Sequence, residues 1–305
     1  MTLPDTFIIG APRCGTTSLH TYLAQHPQLH LPEPKEPHHL CDDLWFGHYD
    51  YYKPWRSREA YLAMFDGAPE GTLRWGEGST WYLYSQTALA NLRAMQPQAR
   101  ILVALRHPLD YLQSMHAHLL AGGTETVASF EDAIRLSAEE RRARGIPLSL
   151  HFEHGFDYLK SARFSEQIAR LLATFSREQV HFVMLDEMER DPRGTYAQVL
   201  RFLDVDPSFE PTFEKANSNR VVTRPLLHRL LNSQASWKRA LVAPIPRPVR
   251  EKLWKRINKL STRHQKRDRA SQAERRRLAQ PFDAEVKTLS EVLGEDLSRW
   301  RAEAM

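Results

Sequence analysis

Three observations predict an α/β fold with a central parallel sheet flanked by helices. Short apolar, β-branched runs at residues 7–9, 100–106 and 180–185 have the length and composition of buried strands. A stretch of helical apolar spacing follows each of them, at residues 16–24, 109–120 and 195–203. Glycine or proline punctuates the first two junctions, at Gly10 and Gly15 and at His107-Pro108. A chain of 305 residues buries one substantial core, so a single domain over residues 1–305 is expected.

The first strand runs through Phe7, Ile8 and Ile9 into a turn bracketed by Gly10 and Gly15, and the helix then places Leu19, Tyr22 and Leu23 on one face. Strand, glycine-punctuated loop and helix in that order make an anion-binding device. The first N–H groups of the helix lack intrahelical partners, and the dipole adds positive charge there. Thr16, Thr17 and Ser18 add hydroxyls, and Cys14 sits inside the loop. Gly10, Gly15 and Thr17 fit the nucleotide-binding pattern G-x-x-x-x-G-K-[ST], but Thr16 stands at the lysine position and the cation is Arg13 instead. A phosphate site unlike that of a triphosphatase fits better than a plain structural turn.

Prolines at 27, 32, 34 and 37 keep the next stretch irregular, and within it stand Lys35, Glu36 and His38. In an extended segment Glu36 and His38 share a face, and a carboxylate beside an imidazole suits general-base work. A surface loop with scattered charges is the alternative. Ten aromatics follow between Trp45 and Trp81: Trp45, Phe46, Tyr49, Tyr51, Tyr52, Trp55, Tyr61, Phe65, Trp75 and Trp81. Most are expected in the core, with some left to stack on a sugar or a flat ring. Residues 86–96 read as an amphipathic helix through Leu89, Leu92 and Met95. Arg106 ends the second strand, at the edge where open α/β sheets bind ligands. His116 and His118 are two apart on a helix, off any common face, which argues against a metal pair and marks them as structural or peripheral. Residues 130–145 and 156–175 read as two further helices.

These residues carry a family resemblance. Ile8-Ile9-Gly10-Ala11-Pro12-Arg13-Cys14-Gly15-Thr16-Thr17-Ser18-Leu19 resembles the 5′-phosphosulfate loop of sulfotransferases that use PAPS (3′-phosphoadenosine 5′-phosphosulfate). The bacterial and heparan-sulfate-type branch is more similar than the cytosolic phenol and steroid enzymes. Arg13 stands where members usually carry lysine. Pro34-Lys35-Glu36-Pro37-His38-His39-Leu40 resembles the KEPHFF-type segment, with Leu40 replacing an aromatic; the likeness implies Glu36 as catalytic base and His38 as its support. Gly76-Glu77-Gly78-Ser79-Thr80-Trp81-Tyr82-Leu83 resembles a GEKTPxYL segment whose lysine assists at the sulfuryl group. Gly78 replaces that lysine, so Lys35, Arg13 or another residue covers its role, or the acceptor site differs.

Residues 106–114 resemble the 3′-phosphate motif, which implies Arg106 and Ser114 as the grip on the nucleotide's 3′-phosphate. The Lys/Arg-Gly pair of other branches is absent, and Arg220, Arg224 or the residues from Arg263 to Arg267 are its candidate substitutes. The resemblance extends to residues 162–164, 186–192, 217–229 and 294–300. It implies a fold similar to P-loop-containing nucleoside triphosphate hydrolases. It also implies an O-sulfating enzyme with PAPS as co-substrate, adenosine 3′,5′-bisphosphate (PAP) as product and no metal.

The net charge is +5, yet residues 247–277 alone hold 13 Lys or Arg against 3 Asp or Glu. A solvated face is the first reading of that run; no zinc-finger or RNP pattern accompanies it, so nucleic acid is not an expected partner. Cys14 and Cys41 form no disulfide framework. No apolar run reaches the roughly 18 residues of a membrane span, and residues 1–5 lack the features of a secretory leader, so a cytoplasmic protein without membrane insertion is expected. The acceptor is open among carbohydrate, lipid and natural product, a small molecule or glycan either way, and oligomeric state is undetermined. Two other classes stay open: a small-molecule kinase with a degenerate loop, and a non-catalytic nucleotide-binding protein.

Overall fold

A computed structural model describes residues 2–44, 52–122, 124–145, 156–213, 220–222, 262–264 and 271–304. Five parallel strands form the central sheet: β1 (Thr6–Gly10), β2 (Leu29–His30), β3 (Arg74–Gly78), β4 (Arg100–Leu105) and β5 (Val180–Met184), in the order β2-β3-β1-β4-β5. Thr6 of β1 lies opposite Gly76 on one side and Arg100 on the other, and Leu105 pairs with Met184. Phe7, Ile8, Ile9 and the run from Ile101 to Leu105 are fully buried, as strands covered on both faces must be. The chain leaves β1 toward β2, returns through β3, then crosses to β4. The strand order therefore reverses beside β1, and the loops after β1 and β4 open side by side at the carboxyl edge.

Helices cover the sheet: α1 (Thr16–Leu23), α2 (Arg58–Ala63), α3 (Ala88–Met95), α4 (Pro108–Gly122), α5 (Phe130–Arg135), α6 (Ala138–Ala143), α7 (Tyr158–Ser161), α8 (Phe164–Thr174), α9 (Leu185–Arg190), α10 (Pro192–Phe202), α11 (Gln272–Ala279) and α12 (Asp283–Leu293). A short antiparallel ribbon pairs β6 (Arg220–Val222) with β7 (Thr262–His264), setting Val221 opposite Arg263. Beyond α4 the chain folds back through a buried latch. Glu125 accepts from the N–H groups of Thr126 and Val127, from Tyr158 Oη at 3.0 Å and from Arg141 Nη1 at 2.8 Å.

Several expectations are corrected. The helix expected over residues 130–145 is two, because Leu136 is extended and Ser137 opens a new capping box with Glu140. Residues 156–175 likewise break into α7 and α8 at Arg163, whose backbone leaves helical geometry. Strands β2 and β3 add to the three expected from sequence: β3 reads Arg-Trp-Gly-Glu-Gly, without the apolar run that signals a strand. Of the aromatics from 45 to 81, Tyr61, Phe65 and Trp81 are buried in the core, while Trp45, Phe46, Tyr49 and Tyr51 lie outside the described residues. So do Arg224, Lys266, Arg267 and most of the basic run.

Gly15 is the junction on which the first loop turns. Its φ is +89°, and a Cβ there would stand 2.7 Å from Leu185 Cδ1 and 2.8 Å from Met188 Cε on α9. Left-handed backbone and a lost clearance both penalise any side chain. We expect Gly15→Ala to lower stability by about 1–3 kcal/mol, read as a fall in the urea unfolding midpoint.

Candidate active site

The loop after β1 turns sharply. Arg13 has φ 64° and Gly15 is the N-cap of α1, with no side chain capping the helix. The loop is tied to β4 by Ala11 N–H donating to Ala104 O at 2.7 Å, and closed by Cys14 N–H donating to Ala11 O at 3.3 Å. Arg13 Nε donates to Ser114 Oγ on α4 at 3.3 Å, and Arg106 Nη1 donates to the Arg13 carbonyl at 3.3 Å. Arg13, Arg106 and Ser114, nominated from three separate stretches of sequence, thus form one cluster around the N-terminus of α1. Thr16 is buried at the first turn, and Thr17 and Ser18 are half-buried. Burial pushes the Cys14 thiol up to about 12 against the opposing pull of Arg106 and Arg13, so it packs as a neutral group.

These residues fit a phosphate or sulfate. Arg106 Nε is buried without a hydrogen-bond partner among the described residues, and a buried donor of that kind is satisfied by a bound anion. Among the described residues no group of three or more His, Cys, Asp or Glu is arranged to hold a metal ion.

Glu36 lies in the loop after β2, with φ 66°, and His38 follows with φ 51°. Lys35 Nζ pairs with Glu36 Oε1, Thr80 Oγ1 donates to the same oxygen at 3.2 Å, and His38 Nε2 stands 3.7 Å from Glu36 Oε2. Burial raises the Glu36 carboxyl, but His38 and Lys35 outweigh it and hold the group well below the usual carboxylate range. Burial keeps His38 below its ordinary value, against the pull of Glu36.

The loop's shape is imposed by its neighbours. Arg56 Nη1 donates to the carbonyls of His38, His39 and Cys41 at 3.3, 3.1 and 2.9 Å, while Arg56 Nη2 holds Asp42 at 2.7 Å. From the other side, His38 N–H donates to Ser79 Oγ at 3.0 Å, and Ser79 Oγ donates to Glu77 Oε2 at 2.8 Å. Tyr61 Oη reaches Glu77 Oε1 at 3.4 Å, Tyr82 Oη also bonds Glu77, and Leu40 N–H donates to Tyr82 Oη at 3.3 Å. Glu77 is therefore a buried carboxylate held by three hydroxyls. Burial pushes it up to about 7 against their stabilising bonds.

His118, read from sequence as peripheral, is exposed on α4 one turn beyond Ser114 and feels the charges of both Arg13 and Glu36. The surrounding protein first and Arg13 second hold it at about 4, with Glu36 opposing. Its imidazole is thus open to solvent and close enough to both side chains to feel their charges. Its i+4 spacing from Ser114 was the available signal. His116 is buried instead, with its Nε2 bonded to Val127 O at 2.8 Å.

The α/β fold thus gathers two arginines and a serine hydroxyl at the N-terminus of α1, and a carboxylate–imidazole pair in the loop after β2. A family model described as "Sulfotransferase family" matches residues 4–211, which include Arg13, Glu36, His38, Arg106 and Ser114. A sulfotransferase from Alicyclobacillus acidocaldarius superposes with a TM-score of 0.66 at 27% identity, covering 98% of this chain and 99% of that one. The bifunctional heparan sulfate N-deacetylase/N-sulfotransferase 1 of Caenorhabditis briggsae is 27% identical over 213 residues, 68% of this chain and 23% of that protein. Carbohydrate sulfotransferase 15 of Rattus norvegicus is 23% identical over 253 residues, 68% of this chain and 45% of its own length. The chain spans less than half the length of either relative. It belongs to the sulfotransferase family, whose chemistry is sulfuryl transfer and whose fold is that of P-loop nucleoside triphosphatases.

Glu77 makes stability depend on pH. Its proton is held more tightly in the folded state, with a value near 7 against an ordinary 4.5, so its contribution is lost as pH rises through that window. We expect wild type to lose roughly 3 kcal/mol more than Glu77→Gln between about pH 4 and about pH 8. Denaturant titrations of both proteins at the two pH values check this, each compared with itself.

Proposed function

We propose that the protein moves a sulfuryl group from PAPS to a hydroxyl of a carbohydrate, lipid or natural-product acceptor, leaving a sulfate ester and PAP. The observation that carries this reading is Arg13, bonded to Ser114 through its side chain and to Arg106 through its carbonyl. That junction puts two cations and a hydroxyl around one helix N-terminus, a combination suited to a nucleotide phosphorylated at both ends.

In the proposed reaction Glu36 takes the proton of the acceptor hydroxyl as its oxygen bonds to sulfur, and the bond from sulfur to the 5′-phosphate oxygen breaks. Arg13 and the N–H groups at Gly15, Thr16, Thr17 and Ser18, in the loop that Cys14 closes, stabilise the charge that grows on the departing phosphate. Arg106 and Ser114 grip the 3′-phosphate. His38 orients Glu36, and His118, one turn beyond Ser114 on α4, faces the acceptor. No metal takes part in this scheme.

Residues 1–305 are read as one domain. In support, Ser165 on α8 bonds Glu285 on α12 through its N–H at 2.7 Å and its hydroxyl at 2.8 Å, and Arg275 on α11 reaches Asp110 on α4 at 2.9 Å. A cytoplasmic setting fits Cys14 and Cys41, both free thiols. Among the described residues no helix is long and apolar enough to cross a membrane.

Glu36→Gln should cut turnover with PAPS by about 10²–10⁴-fold while calorimetry shows PAP binding unchanged. Near-normal turnover would remove Glu36 as the base. Arg106→Ala should weaken PAP binding by about tenfold to a hundredfold with its melting temperature retained, as expected for one lost charge-assisted contact. Unchanged PAP affinity would reject the 3′-phosphate assignment.

A further inference from the structure

Lys35 has no part in the scheme above, yet its surroundings give it one. Its ammonium pairs with Glu36, and the side chain is only 16% exposed, half the value for its partner at 33%. Its stem lies where β3 leaves room. A Cβ built on Gly78 would stand 3.7 Å from Lys35 Cε and 3.2 Å from His20 Cδ2 on α1. A side chain at position 78 would therefore grow into the space that Lys35 fills, one helical turn from Thr16 and Thr17 of the anion loop.

The charges around Glu36 single Lys35 out. The titratable groups facing that carboxylate are Lys35 and His38 from its own loop, His20 from α1 and His118 from α4, with Thr80 as a neutral donor. Burial holds His20 at about 4 and keeps His38 below its ordinary value, while the surrounding protein and Arg13 hold His118 at about 4. All three imidazoles are thus held below their ordinary values, and Lys35 is the ammonium paired with Glu36. That pairing carries a chemical conflict. A carboxylate held by an ammonium is a poor proton acceptor, because its lone pairs and charge are already engaged.

We propose that Lys35 is a shared cation: it holds Glu36 until the donor binds, then turns its ammonium to a sulfuryl oxygen and frees Glu36 to accept the acceptor's proton. The inference rests on the sulfuryl-transfer reading. A four-carbon stem with free rotation suits the exchange, and the ammonium trades one anion for another without being left uncompensated. The smallness of Gly78 gives that stem its berth.

The sulfuryl group separates this role from a structural one, since PAPS carries it and PAP does not. Calorimetry of the full chain with each nucleotide is the test. Lys35→Met should weaken PAPS binding by about tenfold and leave PAP within about twofold, while Lys35→Arg keeps the preference for PAPS. The double variant Lys35→Met/Gly78→Lys, which regrows an ammonium into the same space, should regain PAPS affinity. Equal loss for both nucleotides, or no loss for either, overturns the inference. Wild type that binds neither nucleotide overturns instead the sulfuryl-transfer reading itself.

Discussion

The site depends on one constraint, the position of β1 between β3 and β4. Three neighbouring parallel strands end at the same edge, so the segments that follow them are brought together whatever their distance in sequence. Hydrogen bonds fix that meeting: Ala11 N–H to Ala104 O joins the first loop to β4, and Leu83 N–H to Ile9 O joins the segment after β3 to β1. A one-residue slip in either pairing would reverse which side chains face the site. The register of fully buried strands such as Phe7–Ile9 is therefore also the register of Arg13, Thr80 and Arg106.

Around this edge the protein separates charge by solvation. The cations Arg13, Lys35 and Arg106 keep partial exposure, while burial pushes the Cys14 thiol up and holds His20 and His38 below their ordinary values. The result is a concentration of positive charge at the carboxyl edge of the sheet. Such a site favours an anion. Glu77 is the exception in sign. It is a carboxylate far from water, and hydroxyls rather than an ion pair satisfy it.

Much of this was legible in the amino-acid sequence, and the reasons are local. The strand, glycine turn and helix at residues 7–23 declare themselves because each depends on near neighbours. Arg106 is visible because it ends an apolar strand. Other features are not local. β3 lacks an apolar run and is a strand because β1 and β2 flank it. The exposure of His118 beside Ser114 depends on which face α4 turns outward, which two histidines two apart cannot disclose. Residues 130–145 satisfy helical spacing throughout, and only the Ser137 cap, a stronger local preference, divides them. The glycine at 78 reads as a loss in sequence and as room for a neighbour in space.

The clamp made by Arg56 bears on portability. Glu36 and His38 both hold left-handed backbone angles that ordinary residues avoid, and the guanidinium that gathers the carbonyls just beyond them comes from a short 3₁₀ turn, Lys53–Arg56. Lysine in that place, a point charge without a planar fork, has no equivalent geometry for several acceptors at once. The stretch from Lys35 to His38 is thus recognisable as text but incomplete as an object. Grafted onto the edge of another sheet, it would carry its side chains and leave its curvature behind. Transplants of this chemistry must move Arg56, Ser79 and Glu77 together with the residues that name it.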